Sequence, residues 1–227
     1  MSNIEKRLNS AWLVALLASS LTACGGGGGG GNDAPEGGNP PAPVPAPPPP
    51  PPPASSGPPL SSTVTDVTGE VAVGEPYWVN GNTATGGQGS PVNDIQCHAT
   101  IHDDTHTHIS IILNGDHLTF PDLVGTPGDP RCYYGIHTRT GSGLLHVQTG
   151  FSRTLTLGDV FDIWGRPLTT TNVAGIEGLP VEVFVTDNGT VTKVESDWRA
   201  IELTSRRLIT IGLGTPLTEI PNFTWTD

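Results

Sequence analysis

Residues 106–121 read HTHISIILNGDHLTFP. Asn114-Gly115 is the strongest two-residue turn signal, because both central positions of a type I′ turn need positive φ. The stretch therefore reads as a hairpin, with Leu113 opposite Asp116 and Ile112 opposite His117. Side chains alternate across a strand. Ile109, Ile111 and Leu113 share one face, the expected core. His106, His108, Ser110 and His117 share the other.

The same logic extends outward. Residues 133–148 read as a second hairpin turning at Gly141-Ser142, and any even loop centred there sets His137 opposite His146. Ile136, Leu145 and Val147 then point to the core, while Tyr133 and Gln148 lie on the histidine face. Residues 181–194 form a third hairpin around Asn188-Gly189. Strands are expected at 198–203 and 208–213, and one or two more within 61–79. Residues 156–165 carry the one helix signal: Thr156 and Asp159 make a capping-box pattern. Leu157, Val160, Phe161 and Trp164 recur on one helical face, and Gly165 with Pro167 ends it. The expected fold is mainly antiparallel β, a sandwich or a β-grasp-like layer, with one short helix.

The N-terminal third differs in kind. Lys6 and Arg7 precede a short apolar run over 11–21, too short to span a bilayer and suited to a signal peptide. The run ends in Leu21-Thr22-Ala23-Cys24, which resembles the lipobox of bacterial lipoproteins; a plain secretory signal is the rival reading. The resemblance implies that Cys24 is lipidated and becomes the mature N-terminus. Gly25 follows where an Asp would favour inner-membrane retention, so it also implies the outer membrane, with the leaflet open. Residues 25–31 are all glycine, and 14 of the 23 prolines precede Leu60. Such a tract is a disordered spacer, floppy and then extended. The expected organisation is a signal peptide over 1–23, a Gly/Pro-rich linker over 24–60 and a single β-rich domain over 61–227. A net charge of −12 argues against nucleic acid as a partner and favours cations.

Cys97 and Cys132 bracket the first hairpin. Export makes a disulfide the default reading, with a metal thiolate as the alternative. All seven histidines lie between residues 98 and 146. His106 and His108 share a strand face, and His137 and His146 share another. If the two faces align, four imidazoles converge, and an imidazole-rich site suits copper or zinc rather than magnesium or calcium. His98, His102, Asp103 and Asp104 stand just upstream and could add ligands. The bland alternative is the wet face of an ordinary sheet, where histidine is tolerated.

The residues His106-Thr-His108 before an Asn-Gly turn, His137-Thr-Arg139, Gly141-Ser-Gly143-Leu-Leu-His146 and Leu157-Gly-Asp-Val-Phe-Asp-Ile-Trp-Gly165 resemble a group of uncharacterised exported bacterial proteins over about residues 97–214. That group tends to carry histidine at the position of Arg139, an acid at Thr140 and Glu at Gln148. The resemblance supports one functional face and names no activity. Three functions compete. The first is an outer-membrane-anchored lipoprotein binding copper or zinc through the histidine cluster. The second is a metal-free adhesion or envelope-interaction module on a proline-rich stalk, with Trp78, Trp198 and Trp225 as a possible contact surface. The third is an enzyme. It has little behind it, because Gly141-Ser142-Gly143 lacks nucleophile-elbow spacing and the glycine run has no phosphate-loop context.

Overall fold

Three hairpins and one helix account for most of the architecture. A computed structural model describes residues 56–69, 77–81, 85–101, 104–118, 120–148 and 150–226. The leader, Cys24, most of the spacer, His102 and Asp103 lie outside the described residues. In chain order the elements are β1 (Leu60–Asp66), β2 (Cys97–His98), β3 (Asp104–Leu113), β4 (Asp116–Leu118), β5 (Tyr133–Tyr134), β6 (Ile136–Thr138), β7 (Leu144–Gln148), α1 (Leu157–Trp164), β8 (Asn172–Val173), β9 (Ile176–Glu177), β10 (Val181–Asp187), β11 (Thr190–Lys193), β12 (Arg207–Leu213) and β13 (Ile220–Thr224).

The fold is β-rich with one α-helix, as the hairpin pattern predicts. A seven-stranded sheet runs β11-β10-β12-β3-β7-β6, with β4 paired to β3. The three predicted registers hold: Ile112 faces His117, His137 faces His146, and Asp187 faces Thr190. Two pairings are parallel, β3 with β12 at the centre of the sheet and β1 with β13. Turn signals report only local, antiparallel partners, so neither is visible in the sequence. The strand expected over 198–203 is instead a 3₁₀ turn at Trp198–Ala200 followed by a single bridge from Glu202 to Thr156.

One sheet face carries Ile109, Ile111, Leu145, Val147, Ile209 and Ile211, all buried against α1. The helix is short and is held by packing and caps. Thr156 Oγ1 accepts from the Asp159 amide, and the Asp159 carboxylate accepts from the Thr156 amide. Gly165 ends the helix at φ 74°, and Gly86 lies so close that a Cβ there would stand 2.5 Å from the Gly165 Cα. Trp164 meets Phe120 at 4.2 Å and Trp78 edge-on at 5.1 Å.

The second face, which the bland alternative would leave wet, is also covered along its middle. The β1/β13 ribbon lies over it: Phe223 packs on His108 with ring centroids 4.0 Å apart, and Ile220 joins Phe184 and Val191 in a small second core. Burying a polar face is unusual, and it sets the chemistry of the histidines. Cys97 and Cys132 form the expected disulfide, joining β2 to the residue before β5. Among the described residues no helix is long and apolar enough to cross a membrane.

Candidate metal centre

The site is assembled by the register of three adjacent strands. His106 on β3 pairs with His146 on β7, which pairs with His137 on β6, so three imidazoles form one row across the sheet. The His137 ring stacks on His146 with centroids 5.1 Å apart and planes 16° from parallel. His106 meets His146 edge-on at 4.6 Å. Asp104, two residues before His106 on β3, lies on the same face opposite Gln148. The Tyr133 ring covers His137 at 5.7 Å. The adjacent disulfide fixes that end of β5.

His146 Nδ1 is the centre of this arrangement. Asp104 Oδ2 and His106 Nε2 both lie 2.9 Å from it. A single N–H hydrogen cannot point at both, and the carboxylate is the stronger acceptor. Asp104, His137 and His146 each offer a ligand atom within 4.8 Å of the others. Tetrahedral zinc with bonds near 2.0–2.1 Å needs donors about 3.3 Å apart, so the group would have to tighten around an ion. Two imidazoles and a carboxylate suit zinc, copper or iron rather than calcium or magnesium.

His137 is the most telling member. It is 0% exposed, and among the described residues neither ring nitrogen has a partner in hydrogen-bond geometry. Burial lowers its pKa to about 4, helped by repulsion from His146 and Arg139; the Tyr134 backbone and Asp104 pull weakly the other way. The Tyr134 backbone thus lies close to the ring without meeting full hydrogen-bond geometry. His146 is lowered in the same sense, by burial first, against the Asp104 hydrogen bond. Both rings are therefore neutral at pH 7, the form a metal requires. The site opens at its Asp104 end. There Arg139, about half exposed, places its guanidinium 3.5 Å from Asp104 Oδ2, so a fixed cation shares the oxygen an ion would take.

Two other predicted ligands, His108 and His98, go elsewhere, and His102 lies outside the described residues. His108 shares the strand face with His106, but its Nε2–H donates to the Ser142 carbonyl at 2.8 Å and its ring packs under Phe223. Burial lowers its pKa to about 3. His98 is exposed on β2, paired with Tyr133. Three imidazoles thus gather, not four, and Asp104 moves from a possible addition to a central member. Strand alternation carries that signal: Asp104, His106 and His108 follow a strict period of two. Comparison of the chain with protein-family models, curated proteins and solved structures finds no match.

Proposed function

We propose that this chain is a lipid-anchored envelope protein, held at the outer membrane by Cys24, whose β domain binds a single copper or zinc ion through Asp104, His137 and His146, with His106 against His146. The observation that carries the reading is His137. A fully buried imidazole without a partner for either nitrogen costs about 1–3 kcal/mol, and native folds hold few such groups. A ligand role explains why the sheet keeps a histidine there. The anchor rests on the lipobox residues and the spacer that follows them. The acidic chain and the extended tract suit a domain that takes up cations at a distance from the lipid. Handling of a transition metal, by buffering or delivery, is the function that follows.

A metal-free contact module would need an exposed aromatic face. Trp78 is buried and Trp198 packs against the core, its Nε1–H bonded to the Val194 carbonyl, so that reading has less support. The test is thermal unfolding of the full chain with EDTA and with one equivalent of Zn²⁺ or Cu²⁺. A stabilised transition that disappears in His137→Leu and His146→Ala is expected. Unchanged melting in all samples would end the proposal.

A further inference from the structure

A second group of polar side chains lies away from the histidine row, where the β1/β13 ribbon crosses the sheet. On this face His108 Nδ1, Ser110 Oγ, His117 Nε2 and Thr186 Oγ1 are buried with no hydrogen-bond partner among the described residues. They are neighbours by register. His108 and Ser110 are two apart on β3, His117 sits across from Ile112, and Thr186 faces Leu208, which faces His108. So many unpartnered groups under one ribbon call for an explanation.

Two hollows flank Phe223 at this place. The larger, about 450 Å³, is lined by His117, and the smaller, about 270 Å³, runs past Thr186 to Trp225. The larger falls in the range of small-molecule sites, roughly 300–1,000 Å³. Its chemistry is specific in three respects. Ser61, Thr63 and Thr65 of β1 line it with hydroxyl-bearing side chains, and Asn114 and Asn222 add side-chain amides. Such groups both donate and accept. Phe223, Pro216, Pro221 and Leu217 supply apolar surface among them. Among the described residues the lining of this larger hollow holds one carboxylate, Glu219, and no lysine or arginine. Burial keeps His117 neutral, since it lowers the pKa of that ring.

We propose that the cleft between the β1/β13 ribbon and the sheet binds a neutral, polyhydroxylated ligand, a saccharide of one or two rings. Hydroxyl and amide side chains match its hydroxyls, and the Phe223 ring and the prolines take its C–H faces; in the larger hollow, the one proposed to hold the sugar, Glu219 disfavours acidic sugars, while Arg206 lines only the smaller hollow beside it. The site lies apart from the metal centre and does not depend on it.

The experiment is saturation-transfer NMR and calorimetry on the full chain in EDTA, with cellobiose and N,N′-diacetylchitobiose as neutral probes and digalacturonate as the acidic one. Saturable binding of a neutral probe is expected, at least tenfold tighter than the acidic one. It should weaken at least fivefold in Thr63→Val, an exposed β1 position that leaves the fold intact, and at least tenfold in Phe223→Ala. Should Phe223→Ala unfold, Thr63→Val and Asn222→Ala decide alone. No saturable binding of either neutral probe, tighter binding of the acid, or binding untouched by Thr63→Val and Asn222→Ala would overturn the proposal.

Discussion

Replacing His137 with leucine separates what this residue does for the fold from what it does for a bound ion. The two side chains are close in volume, so the swap removes two unpartnered buried nitrogens without opening a cavity. Relief of the unsatisfied groups is worth about 1–3 kcal/mol. Loss of the stack on His146 and of the contact with Tyr133 returns roughly 0.5–1.5 kcal/mol of that. The metal-free protein should therefore gain about 1 kcal/mol, which for a domain of this size raises Tm by about 2–4 °C. The effect of metal runs the other way. An ion present at 100 times its Kd stabilises the wild type by about 2.7 kcal/mol, and the variant should show none of this. Thermal unfolding of both proteins by circular dichroism at pH 7, in EDTA and with excess Zn²⁺, reads both quantities. A variant that loses more than about 1 kcal/mol without metal, or keeps the metal-dependent shift, would show that His137 is a packing residue.

Four further outcomes follow. Arg139→Ala should tighten metal binding by up to about fivefold, because it removes a half-exposed cation from Asp104 whose pairing is worth at most about 1 kcal/mol; competition with a chromogenic chelator measures it. Asp104→Asn should weaken binding by about 10–100-fold in the same assay, the range for loss of a charged partner at a metal-binding histidine. The metal-free protein should be fully stable above about pH 6.5 and lose several kcal/mol as the pH falls toward 3. Burial lowers the pKa values of His137 to about 4 and His108 to about 3, so the unfolded chain binds the extra protons across that window. Urea unfolding from pH 7.5 to 4 checks the sign. Cys97→Ser with Cys132→Ser should cost about 3–4 kcal/mol, given the 35-residue separation, and calorimetry would register it as a drop in Tm of roughly 10 °C.

The local structure was legible wherever backbone chemistry dictates it. Asn114-Gly115 and Asn188-Gly189 both adopt the positive φ that their turns require and fixed the registers of their hairpins, while the turn centred on Gly141-Ser142 set His137 opposite His146. Thr156, Asp159 and Gly165 marked the helix by its caps. What the sequence concealed was long-range. Pairing of β3 with β12 spans some hundred residues and leaves no local mark. Without the β1/β13 ribbon in view, His108 and Ser110 looked like an exposed strand face, yet both are 1% exposed. The site itself was half legible: alternation put His106 and His108 on one face, but Asp104 was read as lying upstream of the strand, whereas β3 begins at Asp104. Only the packing reveals that His108 turns to the Ser142 carbonyl while Asp104 turns to His146.

Electron paramagnetic resonance of the full chain loaded with one equivalent of Cu²⁺ tests the central claim most directly. One homogeneous signal is predicted, with nitrogen superhyperfine structure from at least two imidazoles, collapsing to the aqueous-copper spectrum in His146→Ala. A mixture of weak signals that survives His137→Leu and His146→Ala alike would contradict the account.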